Sequence, residues 1–262
     1  MYWIYDLPHW AGAALFSVVF VCITCLGVVL IRPWVRRHAA DQPDWNGMTS
    51  TVLSAYGVYY GITLALIAVS TYQNFEAAES SVAREAASLG TLYRNVSGYP
   101  EPIRGELQGM LRDYSEYVIE DAWPAQRRGE IPEGGTRRIT FFQEKLLSFQ
   151  PETRSEDTLH AATIGHFNSF VEDRRERLYR VTTGLPAALW FVVVGAALNA
   201  ALTWLFDIKR LIVHLIVAGV LSLFVALLVF LIVAMDNPFR GAVSITPEAF
   251  EIVQRSLMRP DR

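Results

Sequence analysis

The chain has 262 residues, 52 % of them hydrophobic and 19 % charged, with a formal net charge of −3. So small an imbalance names no charged partner, and with no basic stripe it excludes a nucleic-acid-binding surface. The apolar residues are clumped rather than spread, which excludes an ordinary soluble domain and points to an integral membrane protein.

The first ten residues, MYWIYDLPHW, hold no Lys or Arg, so they lack the basic start of a secretory signal. Trp10–Ile31 is long and apolar, and Arg32, Arg36 and Arg37 after it act as a stop-transfer anchor. It reads as an uncleaved first span, with Tyr2, Trp3, Tyr5 and Trp10 as an interfacial belt. Cys22 and Cys25 form a CxxC inside this span, the chain's only cysteines. A redox or zinc site needs water access and further ligands, so they read as small packing residues.

From Gly47 to Asn95 the sequence starts as a second span and continues helical beyond it. TVLSAYGVYYGITLALIAVSTY is uncharged for the ~20 residues a bilayer requires. QNFEAAESSVAREAASLGTLYR then has no proline and is rich in Ala, Glu and Leu, so nothing in it stops the helix. At ~1.5 Å per residue the whole would be about 70 Å long. Tyr56, Tyr60, Thr63, Ile67, Ser70 and Asn74 recur in steps of four and three, giving one polar stripe of candidate pore-lining residues. Gly57, Gly61, Ala65 and Ala68 form a second stripe, opening with a GxxxG that lets another helix approach closely. The hydroxyls either line a water-filled path or bond across helices and back to their own carbonyls.

A polar segment, about Gln73 to Gly184, reads as helices throughout. Pro102 starts a helix that runs to about Ala122 and ends at Trp123-Pro124. Gly134-Gly135 reads as a turn, a further helix covers about Arg137–Phe149, and a last one runs from about Ser155 toward a joint at Gly184 and Pro186. Leu185–Phe206 and Leu211–Met235 give spans three and four. In the tail, Ala242–Ile245 reads as extended, and Thr246 caps a helix with Pro247 at its first position. The expectation is an all-α membrane protein with four transmembrane helices and an extramembrane helical bundle between spans two and three. Its parts would be residues 1–72, 73–184, 185–236 and 237–262.

Both short connections, Arg32–Met48 and Asp207–Arg210, are basic, which places them in the cytoplasm by the positive-inside rule. In a bacterial inner membrane the bundle would then be periplasmic. Glu76, Glu79 and Glu85 follow span two, while Arg174, Arg175 and Arg177 precede span three. Packed antiparallel, the two sets would meet as a structural clamp or as a vestibule that focuses ions. Asn199 is the polar residue deep in span three, and such amides usually bond a neighbouring helix. The five histidines are scattered, and neither a phosphate loop nor a GxSxG motif is present. A non-enzyme without metal or cofactor is expected.

Four stretches together resemble the bestrophin-like domain family of bacterial and plant membrane proteins, a family of unknown function. They are EAAESSVAREAASLGTLYR after span two, YVIEDAWPA, DRRERLYRVTTGLPAALW before span three, and DNPFRGAVSITPEAF after span four. The name links the family to true bestrophins, pentameric anion channels whose second span lines the pore and whose soluble segment is cytoplasmic. The resemblance therefore implies a homo-oligomeric channel in the lipid bilayer that conducts small inorganic ions. The alternative reading is a non-conducting scaffold or sensor whose helical bundle binds a partner or ligand.

Overall fold

A computed structural model describes residues 8–182, 186–241 and 244–258. Among the described residues there are nine α-helices and no strand: α1 (His9–Ala39), α2 (Trp45–Val96), α3 (Ile103–Tyr117), α4 (Trp123–Arg127), α5 (Gly134–Leu147), α6 (Arg154–Thr182), α7 (Pro186–Trp204), α8 (Leu211–Asp236) and α9 (Glu248–Leu257). A five-residue π turn, Val118–Ala122, joins α3 to α4. Residues 242–243 of the expected extended piece Ala242–Ile245, the belt residues Tyr2, Trp3 and Tyr5, and the joint at Gly184 lie outside the described residues. Two compact units result. One takes α1, α2 as far as Asn74, α7 and α8; the other takes α2 from Phe75, α3 to α6, and α9.

In the first unit α1, α2 and α8 are each long and apolar enough to cross a membrane, and α7 contributes a further apolar stretch, Trp190–Trp204. Lipid offers helices no hydrophobic reason to associate, so packing and polar links hold such a unit together. Thr24 and Ser222 join α1 to α8 by a buried hydroxyl–hydroxyl bond of 2.9 Å. The Trp204 indole of α7 donates to the Thr24 carbonyl at 3.0 Å. Gly195 lets α7 approach α2, because a Cβ there would collide with the Tyr60 ring. The two short connections lie at one end of the unit, stapled to each other. Trp45 Nε1 donates to the Leu205 carbonyl at 2.6 Å, and Asn46 exchanges bonds of 3.0 and 2.9 Å with the backbone of Asp207.

The second unit has an ordinary apolar core: Val82, Leu89 and Leu92 of α2, Leu107 and Leu111 of α3, Phe142 and Leu146 of α5, Phe167 and Phe170 of α6. Each such side chain contributes ~1.5–3 kcal/mol by leaving water. The start of α6 is a capping box: Thr153 Oγ1 accepts from the Glu156 amide at 3.2 Å, while Glu156 accepts from the amides of Glu152 and Thr153. The tail is docked here, with Phe250 buried and the Trp123 indole donating to the Ile245 carbonyl at 3.3 Å.

Three local expectations are corrected. Trp123-Pro124 does not end the helix, which passes through the π turn and continues to Arg127. The widened turn puts Pro124 in the first turn of α4, where proline is tolerated. Gly134-Gly135 opens α5 instead of forming a free turn, and at Gly134 a Cβ would press on the Tyr117 ring. Thr246 does not cap α9, which has Pro247 at its N-cap and no side-chain cap bond.

Candidate functional site

The polar stripe of α2 is divided by the packing of α7. Tyr56 and Tyr60 turn inward, and their hydroxyls donate to the carbonyls of Gly195 at 2.5 Å and Val192 at 2.9 Å. Ile67 is half-buried beside them in the same cluster, and Asn74 is also half-buried. Thr63 and Ser70 stay exposed, with the Thr63 hydroxyl bonded back to the Tyr59 carbonyl at 2.8 Å. On the other flank Gly57 and Gly61 have nothing within 4 Å of where a Cβ would stand. Ala65 is exposed and Ala68 half-buried. Within one chain this helix therefore has one satisfied face and two uncovered flanks, one carrying hydroxyls and one small.

In the second unit the acidic and basic sets separate. Glu85 of α2 and Arg177 of α6 form a fully buried ion pair, the guanidinium bonding both carboxylate oxygens. Tyr114 Oη donates to Glu85 Oε1 at 2.6 Å, and Arg177 Nη1 donates to Gln126 Oε1 at 2.5 Å. The guanidinium also lies 5.6 Å from the ring centres of Trp123 and Phe250. Burial alone would push the arginine down, but the Glu85 charge and the neighbouring Tyr114 hold it above its ordinary value. Burial first, then the Glu85 charge, pushes the Tyr114 phenol far up, against the charges of Arg177 and Arg174. Buried charges persist only when paired and hydrogen-bonded, and this pair meets both conditions from four helices.

The remaining members of the two sets do not join this network. Arg174 is buried and donates to Thr136 Oγ1 at 3.2 Å. Arg175 and Glu76 are exposed. Glu79 is exposed too and, with Glu248, borders an open groove of about 350 Å³ between α2 and the tail that Phe75, Val82 and Ile252 also line. Tyr114, Gln126 and Trp123 were not expected as partners of the pair. The signal for them was present: Phe170, Arg174, Arg177 and Val181 recur in steps of four and three, placing two arginines on the apolar face of α6. A charge in that register requires polar company in the core.

The model of the Bestrophin-like domain matches residues 18–250. This chain belongs to the Bestrophin-like domain family. Among solved structures, the Bestrophin-like chain is similar to a point mutant of a bacterial bestrophin homologue from Klebsiella pneumoniae, with a TM-score of 0.70 at 14 % identity, covering 94 % of this chain and 99 % of that one. It is similar to another structure of a bacterial bestrophin homologue from the same organism with a TM-score of 0.69 at 13 % identity, covering 92 % and 97 %. At such identities the likeness shows the fold. No curated protein matches the chain.

Proposed function

We propose that this multi-pass membrane protein assembles as a homo-oligomer, with α7 as a fourth span, and that its α2 helices surround a path for small ions. The observation that supports this reading best is the unsatisfied state of α2. A span that exposes Thr63 and Ser70 on one flank and bare Gly57 and Gly61 on the other suits contact with water and with a second helix better than contact with lipid all round. Membership of the Bestrophin-like family adds the analogy with pentameric anion channels lined by the second span. Tyr56 and Tyr60 then act as braces, fixing α2 on α7. Thr63, Ile67, Ser70 and Asn74 form the edge turned to the path. A ring of Ile67 side chains narrows it and gates by dewetting. The buried Glu85–Arg177 pair is a clamp, because its charges cancel inside the core and present no field to a vestibule.

Flux of chloride and potassium, measured separately in liposomes holding purified protein, tests the reading. Ile67→Ser raises flux by wetting the constriction, and Thr63→Leu lowers it by removing polar lining. Absence of flux from both wild type and Ile67→Ser sinks the channel. The groove bordered by Glu79 and Glu248 then favours a non-conducting module that binds a partner there.

A further inference from the structure

We infer that the end of the membrane unit that carries both short connections binds an anionic phospholipid, its acyl chain in a groove between α2 and α7 and its phosphate on the adjoining basic side chains. The inference rests on the unit lying in a membrane and is independent of conduction. The groove, about 210 Å³, is lined by Trp45, Met48, Thr49 and Val52 of α2 with Leu202 of α7 and Leu205 just beyond it. Its walls are almost wholly apolar, and Met48 and Val52 are exposed in it. Such a groove accepts an alkyl chain and offers almost nothing to a polar solute.

Its rim leads directly to cations. Trp45 bonds the Leu205 carbonyl, Asn46 holds Asp207, and Asp207 lies 3.6 Å from Arg36. Arg36 and Arg32 donate to the Lys209 carbonyl at 3.1 and 2.9 Å, and Arg32 also donates to that of Ile208 at 3.1 Å. Arg37, Lys209 and Arg210 are exposed beside them, and their side chains make no hydrogen bond or ion pair among the described residues. Five cationic side chains thus gather on two neighbouring segments that also carry three carboxylates, Asp207, paired with Arg36, and Asp41 and Asp44 in the first connection. The balance is positive, and three of the cations have all their donors to offer.

Charge and position together select a lipid over a soluble anion. Leu30 on α1 and Ile212, Val213 and Ile216 on α8 are exposed close by in sequence, as on a lipid-facing surface. Trp34 and Trp45 meet edge to face with ring centres 6.4 Å apart. Tryptophans at this junction sit at headgroup level, and long basic side chains reach from there to phosphate. A phosphodiester joined to an alkyl chain satisfies both halves of the site, whereas inorganic phosphate satisfies one.

The test uses the full chain in a neutral detergent and native mass spectrometry with dioleoyl phosphatidylglycerol, dioleoyl phosphatidylcholine and glycerophosphoglycerol, the first lipid's headgroup without its chains. The anionic lipid is expected to bind at least about tenfold more tightly than phosphatidylcholine, since each cation near such a charge contributes about fivefold. Combined Arg37→Gln, Lys209→Gln and Arg210→Gln removes that preference and leaves phosphatidylcholine binding unchanged. These side chains hold no structural bond, so an unaltered elution volume certifies the fold. Val52→Trp fills the groove and weakens both lipids. A preference that survives the triple variant overturns the inference, as does Val52→Trp binding both lipids like wild type. Glycerophosphoglycerol binding as tightly as the intact lipid also overturns it, leaving a site for free phosphodiesters.

Discussion

Arg177 shows how much a single side chain can organise. Its fork spans both oxygens of Glu85 and the amide oxygen of Gln126, so it links α6 to α2 and α4 in one step. Arg177→Met leaves Glu85 buried with Tyr114 as its remaining polar partner and is expected to cost ~3–5 kcal/mol. The paired change Glu85→Leu with Arg177→Met recovers most of that loss, since no charge is then stranded. Thermal unfolding of the three variants in detergent checks this; a double variant less stable than Arg177→Met refutes the clamp. Tyr114 adds a pH dependence. Its phenol titrates far above its unfolded value, so the folded state keeps a proton that the unfolded state gives up above about pH 10. Stability from this group is therefore complete below about pH 10 and declines as pH rises beyond it. Tyr114→Phe lowers stability at neutral pH by ~1–3 kcal/mol, through the lost bond to Glu85, and flattens the alkaline decline. An alkaline limb with unchanged slope in Tyr114→Phe removes Tyr114 as its source.

Among the elements, α2 carries most of the information. Its continuity from Trp45 to Val96 follows from composition, because the stretch holds no proline to stop the helix. Which hydroxyl faces what does not follow. Tyr56, Tyr60, Thr63 and Ser70 share one sequence spacing, and only the place taken by α7 separates the braces from the exposed pair. The π turn before Pro124 was illegible for a related reason. Proline punctuates a helix by rule, and one widened turn suspends the rule with no residue of its own to announce it. Gly57 and Gly61 give a clean test, because within one chain nothing stands near them. Leucine at either position is silent for the isolated subunit and overpacks a helix–helix contact by ~1–3 kcal/mol. Both variants should insert normally and lose or change the oligomer on size exclusion. Wild-type elution from both places that flank against lipid.

For the whole molecule, the helical class, three long apolar helices and the family were readable from apolar run lengths and four local stretches. The interior of the second unit was readable only as an apolar face, since contacts such as Trp123 with Ile245 join residues 122 positions apart. Orientation in the membrane is where charge and family make opposite statements. Bestrophins keep the large helical segment in the cytoplasm, while the positive-inside rule counts arginines near the short connections. Arg32, Arg36, Arg37, Lys209 and Arg210 all stand at the end with those connections. Four arginines before α7 oppose them: Arg177 is consumed by Glu85, Arg180 is paired with Glu176, Arg174 is buried on Thr136, and Arg175 is exposed. Arg177 and Arg180, cancelled within ion pairs, have little charge left for a membrane potential or an anionic surface. The count therefore favours the connections inside and the second unit outside. Single cysteines at Gln42 and Ser155, in a background lacking Cys22 and Cys25, decide between the two. Both positions are exposed, and Gln42 spares Asn46, which holds Asp207. A membrane-impermeant maleimide applied to intact cells should label Ser155→Cys and leave Gln42→Cys unmodified until the membrane is opened. Labelling of Gln42→Cys alone reverses the orientation and gives the chain the bestrophin arrangement.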